Sequence, residues 1–329
     1  MSATAQPEYE TELVVARRKE EAAGVVSLTL RHRDGAPLPS WEAGAHIDLL
    51  LDDAPEGPLV RQYSLCGDPA DAGAWQIAVL REPDGTGRGG SAHVHAALAE
   101  GSTVRVRGPR NHFALRPAAR YLFVAGGIGV TPILPMLSAA EAAGTPWTLL
   151  YGGRTLDSMA FLDRLTELDA ARGLVTFAPQ DETGLLDLAG FLGSPDPDTL
   201  VYCCGPGPLL DAAEEYCADL EPDTLRVERF SASAADPDAV NTAFELELAA
   251  SGLTVTVAPD ASILETLLEA GVNVHYSCTE GNCGSCATEI IEGEADHRDD
   301  VLNSAEQASQ TMMMVCVSRS RGPRLVLDL

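Results

Sequence analysis

Positive charge is scarce in this chain of 329 residues: 22 Lys and Arg stand against 49 Asp and Glu, a formal net charge of −27. Such a surface repels nucleic-acid phosphates, so nucleic acid is excluded as a partner. What remains is a soluble acidic surface or one that docks on a basic protein. Long apolar runs are missing as well. No stretch reaches the ~20 residues that span a bilayer, and the opening Met1 to Glu10 is too polar for a secretory signal. A soluble, cytoplasmic protein without a membrane partner is expected.

Repeated short cysteine spacings are also lacking. C-x2-C occurs once, whereas structural zinc sites usually show it twice. What is present is Cys278-Thr-Glu-Gly-Asn-Cys283-Gly-Ser-Cys286, answered by Cys316 after a long excursion. This is the spacing of a plant-type 2Fe–2S site, in which one loop wraps three thiolates over one side of the cluster. Gly281 and Gly284 let the backbone approach closely, and Cys316, in an apolar Val-x-Val context, reads as a strand closing the far side. Structural zinc, a disulfide set and buried thiols are the alternatives. Free thiolates agree with a reducing compartment, in which Cys66, Cys203, Cys204 and Cys217 would also stay reduced.

In chain order, short runs of alternating apolar and polar residues come first: Glu12 to Arg17, Val25 to Arg31, His46 to Leu51, Trp75 to Leu80 and Thr103 to Arg107. Punctuated by Gly, Pro and Asp, they predict a small antiparallel barrel. Arg61-Gln62-Tyr63-Ser64 lies on one of its strands, where alternation puts Arg61 and Tyr63 on one face and Ser64 on the other. A cation beside a stacking ring suits a phosphorylated aromatic ligand, although a solvated cross-strand pair has the same pattern. Gly87-Arg88-Gly89-Gly90-Ser91 then opens a helical stretch, His93 to Ala99. A glycine-rich turn at a helix start presents N–H groups to an anion; a plain capped loop is the alternative.

The pattern changes at Tyr121 to Ala125, a continuous apolar run expected of a strand covered on both faces. It leads into Gly126-Gly127-Ile128-Gly129-Val130-Thr131-Pro132, which is not the Gly-x-Gly-x-x-Gly fingerprint, and then a helix from Ile133. Strand and helix patterns alternate through Tyr151-Gly152-Gly153-Arg154 to Cys204-Gly205-Pro206, predicting a mostly parallel sheet. Gly127, Gly129, Tyr151, Gly152, Cys204 and Gly205 all fall at strand ends, where such sheets bind ligands. Ser231 to Ala239 reads as a linker. A hairpin (Ala243–Leu248, Leu253–Val257), a helix opened by Ser262 and Glu265, and the cysteine loop follow, forming a compact α+β module. From Ser231 onward there are sixteen Asp and Glu against four Arg. His93, His95, His112, His275 and His297 show no ligand spacing and read as turn, helix or surface residues, and Met312 to Met314 as core packing.

The order barrel, nucleotide domain, ferredoxin, with Arg61-x-Tyr63-Ser64, Gly127-x-Gly129-x-Thr131-Pro132, Cys204-Gly205-Pro206 and the cysteine loop, resembles the phthalate dioxygenase reductase and vanillate demethylase reductase family over essentially the whole chain. The resemblance implies a multidomain protein: an antiparallel β-barrel flavin domain (1–117), an α/β parallel-sheet nucleotide domain (118–230), a linker (231–241) and a β-grasp plant-type ferredoxin (242–329). It implies FMN held by Arg61, Gln62, Tyr63, Ser64, Arg88, Gly89, Gly90 and Ser91. NADH would lie on Gly127, Gly129, Thr131, Pro132, Tyr151, Gly152, Arg154, Cys204, Gly205 and Pro206, and the cluster on Cys278, Cys283, Cys286 and Cys316. Ser64 would stand beside the flavin, Thr131 and Cys204 would flank the nicotinamide, and Phe230 resembles the aromatic that covers the flavin. The implied activity is that of a reductase passing electrons from NADH through FMN to the cluster and on, singly, to a Rieske-type oxygenase. A cytochrome P450 as acceptor and a non-enzymatic iron–sulfur or zinc binding module remain alternatives. So does NADPH, since Arg154 could pair with a 2′-phosphate whereas Asp157 could meet a ribose hydroxyl or repel that phosphate.

Overall fold

The computed structural model describes residues 8–329 apart from 56, 84, 86–88, 222, 231–240 and 303. Arg88 and nearly all of the expected linker therefore lie outside the described residues. The chain divides into two compact units, Met1–Glu228 and Arg229–Leu329.

The first unit opens with β1 (Glu10–Ala22), β2 (Val25–Arg31), β3 (His46–Leu51), β4 (Leu59–Ser64), β5 (Trp75–Leu80), α1 (Gly90–Ala97) and β6 (Thr103–Arg110). The six strands pair antiparallel in the order β4-β3-β6-β1-β2-β5. Leu65, just past β4, bridges to Ile77 on β5, which brings the two edges together and closes a barrel. Alternation explains its filling: Leu13 and Val15, Val26, Leu28 and Leu30, Ile47 and Leu49, Ile77 and Val79 all point into one core.

The chain continues through β7 (Arg120–Gly126), α2 (Val130–Ala143), β8 (Trp147–Gly153), α3 (Leu162–Asp169), β9 (Val175–Pro179), α4 (Gln180–Thr183), α5 (Leu188–Leu192), β10 (Thr199–Cys204), α6 (Gly207–Cys217) and β11 (Leu225–Glu228). The five strands are parallel in the order β11-β10-β7-β8-β9. From β7 the chain first winds one way through β8 and β9, then returns to place β10 on the other side of β7. The reversal makes a crevice between the carboxyl ends of β7 and β10, the place where open parallel sheets take ligands. α2 covers one face of the sheet, and α5 and α6 cover the other, which is why β7 has no polar alternation. Val25, Cys66, Ala78 and Phe113 of the barrel join the core under α2, so barrel and parallel sheet share packed surface.

The second unit comprises β12 (Phe244–Leu248), β13 (Leu253–Val257), α7 (Ile263–Glu269), β14 (Ala287–Glu292), β15 (Ala295–Asp296), α8 (Ser304–Ser309), β16 (Met312–Met314), β17 (Arg319–Ser320) and β18 (Arg324–Leu327). Its main sheet, β13-β12-β18-β14-β16, is mixed, with β12 and β18 parallel. It packs on α7 through Ile263, Leu264 and Leu267. The Ser262–Glu265 capping box forms as the sequence suggests, each side chain meeting the other's backbone N–H. Among the described residues no helix is long and apolar enough to cross a membrane.

Two local expectations are corrected. Cys316 lies in a turn, not a strand: β16 ends at Met314, and Val317 and Ser318 donate back to the Met314 carbonyl. Met313 and Met314 are core residues as expected, but Met312 is exposed.

The crevice depends on glycine. A Cβ on Gly129 would stand 2.2 Å from the Cys204 carbonyl oxygen and 2.7 Å from the Gly205 nitrogen, and one on Gly205 would stand 3.0 Å from the Gly126 backbone. The β7 and β10 loops thus touch backbone to backbone. Gly129→Ala is expected to cost about 3 kcal/mol, because rigid backbone must move. Gly207→Ala, where a Cβ meets nothing within 4 Å, should be near neutral. Thermal unfolding of the two variants checks this; equal melting temperatures would contradict it.

Candidate functional site

At the mouth of the crevice three side chains from distant parts of the first unit converge. Ser64 ends β4, Cys204 ends β10 and Glu228 ends β11, where it is paired in register with Cys204. The Ser64 hydroxyl donates to Glu228 Oε2 at 3.5 Å, and the Cys204 thiol donates to the same oxygen at 3.9 Å. Burial pushes the Glu228 carboxyl up to about 8, against hydrogen bonds from Ser64 and Cys204 that pull it down. Burial, then the neighbouring Glu228, hold the Cys204 thiol well above its ordinary value. The group is therefore a protonated carboxyl, a neutral thiol and a hydroxyl at neutral pH: a store of one movable proton and no nucleophilic thiolate.

The other crevice residues have defined places. Thr131, in the first turn of α2, donates its hydroxyl to the Ile128 carbonyl at 2.9 Å. Gly127 has φ +55 and a Cβ there would meet nothing within 4 Å, so it faces open space. Pro206 precedes α6 and stands against Gly126. Tyr151, by contrast, is fully buried and donates to the Ala160 carbonyl, and the place of a Gly152 side chain is taken by Leu186. Both are accounted for by packing. Arg154 is exposed, and its carbonyl accepts from the N–H of Asp181 at 3.2 Å. Phe230, past the end of β11, is exposed.

A second cluster lies on the barrel. Gly90 begins α1 directly against Arg61: a Cβ there would fall 2.7 Å from Arg61 Cγ and Nε. The Arg61 side chain thus lies against the helix start while its Nη1 donates to the Val60 carbonyl at 2.8 Å, and Gly89 turns the chain with φ +73. The Ser91 hydroxyl accepts from the Glu82 N–H. Tyr63 packs against the barrel core and burial raises its hydroxyl pKa. Gln62 faces away, donating at 3.1 Å to Asp48, a fully buried carboxylate clamped by Arg107 and Arg110. These groups fit a phosphorylated ring: a cation and helix N–H groups for the phosphate, an aromatic ring one alternation along the strand.

In the second unit Cys278, Cys283, Cys286 and Cys316 are all buried. Cys278 interacts with Cys283 and Cys316, and Cys286 with Cys316. Among the described residues no three His, Cys, Asp or Glu side chains gather about a single ion. The four thiols form one connected group, with Cys316 meeting both Cys278 and Cys286. Hydrogen bonds from neighbouring thiols and from the N–H groups of Glu280 and Asn282 hold the Cys278 thiol low, readying a thiolate. Glu280 N–H reaches Cys278 Sγ at 3.3 Å and Ser285 N–H reaches Cys283 Sγ at 3.4 Å. The loop attains this with Thr279, Gly281 and Gly284 all at positive φ; for a β-branched Thr279 this is a strained conformation.

A brace behind the loop was not singled out from the sequence. Asp299 is buried, accepts from the N–H groups of Val301 and Leu302 and from Ser318 Oγ, and its neighbour Asp300 donates to the Gly281 carbonyl. It therefore ties the cysteine loop to the turn carrying Cys316. His297, read as an ordinary turn, helix or surface residue, is 3 % exposed in its side chain and lies 3.6 Å from Asp299.

Comparison with known proteins follows the same division. Residues 123–215 match the oxidoreductase NAD-binding domain and residues 246–321 the 2Fe–2S iron–sulfur cluster binding domain. The chain is 42% identical to the phenoxybenzoate dioxygenase subunit beta of Ectopseudomonas oleovorans over 90% of both chains. A solved structure of phthalate dioxygenase reductase, described as a modular structure for electron transfer from pyridine nucleotides to 2Fe–2S, is 38% identical with a TM-score of 0.69, covering 97% of this chain and 98% of that one. An intact type IV self-sufficient cytochrome P450 monooxygenase is 43% identical with a TM-score of 0.89; it covers 97% of this chain, which spans only 41% of the P450 chain.

Because Glu228 titrates near 8 when folded and near 4.5 when exposed, the native state binds the extra proton between those values. Its stability must fall as pH rises through that window. Glu228→Gln, which cannot ionise, should match the parent at about pH 4 and melt progressively higher than it as pH rises, by several degrees at about pH 8. Parallel pH profiles of melting temperature for the two proteins would contradict this.

Proposed function

Since this chain belongs to the phthalate dioxygenase reductase family, we propose that it is the NADH-dependent reductase component of an oxygenase system, with FMN on the barrel and a plant-type 2Fe–2S cluster in the second unit. FMN in this place would accept hydride from NADH and release electrons one at a time toward the cluster. The observation that carries the reading is the convergence of Ser64, Cys204 and Glu228 where the barrel meets the switch point of the parallel sheet.

The chain's own residues divide the work. Arg61 and the N–H groups from Gly89 to Ser91, with Arg88, would hold the flavin phosphate, Tyr63 would stack on the ring and Ser64 would stand at its reacting edge. Gln62 supports the strand from behind through Asp48. Gly127, Gly129, Gly205 and Pro206 would let the nicotinamide nucleotide lie close to the backbone, with Thr131, Pro132 and Cys204 bounding its ring. Glu228 would keep a proton within reach of Ser64, Tyr151 and Gly152 would set the strand end, and Phe230 would cover the flavin. Arg154 could bind a 2′-phosphate, whereas Asp157 could meet a ribose hydroxyl or repel that phosphate, and NADH is the donor that the family resemblance implies. Cys278, Cys283, Cys286 and Cys316 would ligate the cluster.

A plant-type cluster near about −400 mV gives electrons downhill to a Rieske centre, which spans about −150 to +300 mV. A Rieske-type oxygenase is therefore the first partner. The P450 reading stays second, favoured by the likeness to 41% of the chain of a self-sufficient cytochrome P450 monooxygenase. Anaerobic titration with NADH, with iron and flavin counted on the same sample, tests the reading. Both flavin and iron–sulfur bands should bleach, about two irons per chain should be found, and kcat/KM for NADH should exceed that for NADPH by at least about tenfold. Protein that arrives colourless with zinc, or whose flavin ignores both nucleotides, would overturn it.

A further inference from the structure

α1 starts against the Arg61 side chain and is short, eight residues from Gly90 to Ala97. A helix of about two turns does not hold itself together in water, so its direction is set by what it is tied to. Gly90 and Val94 are its buried residues, and the remaining ties are polar. Arg18, on β1, donates from Nη1 to the carbonyls of His95 at 2.8 Å and Leu98 at 3.2 Å. Both belong to the last carbonyls of the helix, which have no partner inside it. Ala97 is another of these, and its carbonyl accepts from Ser102 Oγ and the Ala99 N–H. His95 Nε2 donates to the Val79 carbonyl at 2.9 Å, and His93 Nε2 meets Asp53 at 3.1 Å. Arg18 is itself fixed, because its own N–H donates to Glu100 Oε1 at 2.9 Å. One guanidinium from a strand 77 residues away thus closes the end of α1 opposite the end that meets Arg61.

Resting on the reading that Arg61 and the first turn of α1 hold the flavin phosphate, we propose that Arg18 is a positioning residue for that phosphate: it fixes the carboxyl end of α1 and so aims the N–H groups of Gly90 and Ser91 at the anion. A helix this short is a short lever, and freedom at one end is felt at the other. The N–H groups and the dipole act on an anion only over the first turn and along the helix axis, so a tilt weakens the hold on the phosphate. The flavin ring is assigned to Tyr63 and Ser64 on β4, which Arg18 does not touch. Arg18 therefore governs recognition of the phosphate and leaves recognition of the ring alone.

The test titrates the full-length protein, stripped of flavin, with FMN and with riboflavin, which carries the same ring without the phosphate, and follows the quenching of flavin fluorescence. Arg18→Met should raise Kd for FMN by about tenfold and change Kd for riboflavin by less than about twofold. Arg18→Lys keeps the charge but not the guanidinium, and should raise Kd for FMN by about threefold with riboflavin again unmoved. Arg17→Met removes the same charge from the neighbouring, exposed position on β1 and should move both constants by less than about twofold. The visible spectrum of the cluster should be the same in every variant, which shows that the chains fold. An unchanged Kd for FMN in both Arg18 variants, an equal rise for FMN and riboflavin, or an equal rise for FMN in Arg17→Met would overturn the proposal and leave the reductase reading intact. A parent protein that binds FMN no more tightly than riboflavin would overturn the assigned phosphate site, and the proposal with it.

Discussion

One carboxyl group joins the barrel to the parallel sheet. Glu228 accepts the hydroxyl of Ser64 from one and the thiol of Cys204 from the other, while burial favours its protonated form against those two bonds. An ionised carboxylate at this place would lack a cation to meet it and would carry a desolvation penalty. Around this contact the first unit is bolted together: Arg164 of α3 donates to the carbonyl of Cys66 at 2.6 Å, and Phe113 packs edge-on against Tyr202. The strand that presents Ser64 and the strands that present Cys204 and Glu228 are therefore held as one body, as a hydride donor and acceptor in van der Waals contact would require.

The second unit meets a different constraint. Four buried cysteines must face each other without a side chain from the loop intervening, so Gly281 sits under Val317 with φ +79 and Thr279 accepts a strained backbone. Asp299 fixes the loop and the Cys316 turn relative to each other. The cost of such a site is carried by the packed sheet and α7 behind it.

Much of this was legible in the chain. Alternation marked the barrel strands, the unbroken run Tyr121 to Ala125 marked a strand buried on both faces, and four residues then two between cysteines pointed to the 2Fe–2S domain that residues 246–321 match, because each pattern is local. Glu228 was not legible. In Leu-Arg-Val-Glu it looks like a solvated strand end, and its partner Ser64 lies 164 residues away. Tyr151 and Gly152 sit at a strand end, as the ligand-contacting residues of such sheets do, but the fold turned one into the core and covered the other with Leu186. Cys316 looked like a strand residue because Val-x-Val alternates; the turn arises from bonds back to Met314, which no spacing announces. Asp299 and His297 were hidden for the same reason: their burial depends on the Cys316 turn folding over them.

The central claim is a single route in which electrons from NADH reach the cluster only through the flavin held on the barrel. It is tested most directly by the electron paramagnetic resonance signal of the reduced cluster, recorded anaerobically after NADH is added to protein stripped of its flavin and again after FMN is restored. The route predicts no signal from the stripped protein and a full signal once FMN is back. An equal signal from both samples would contradict it.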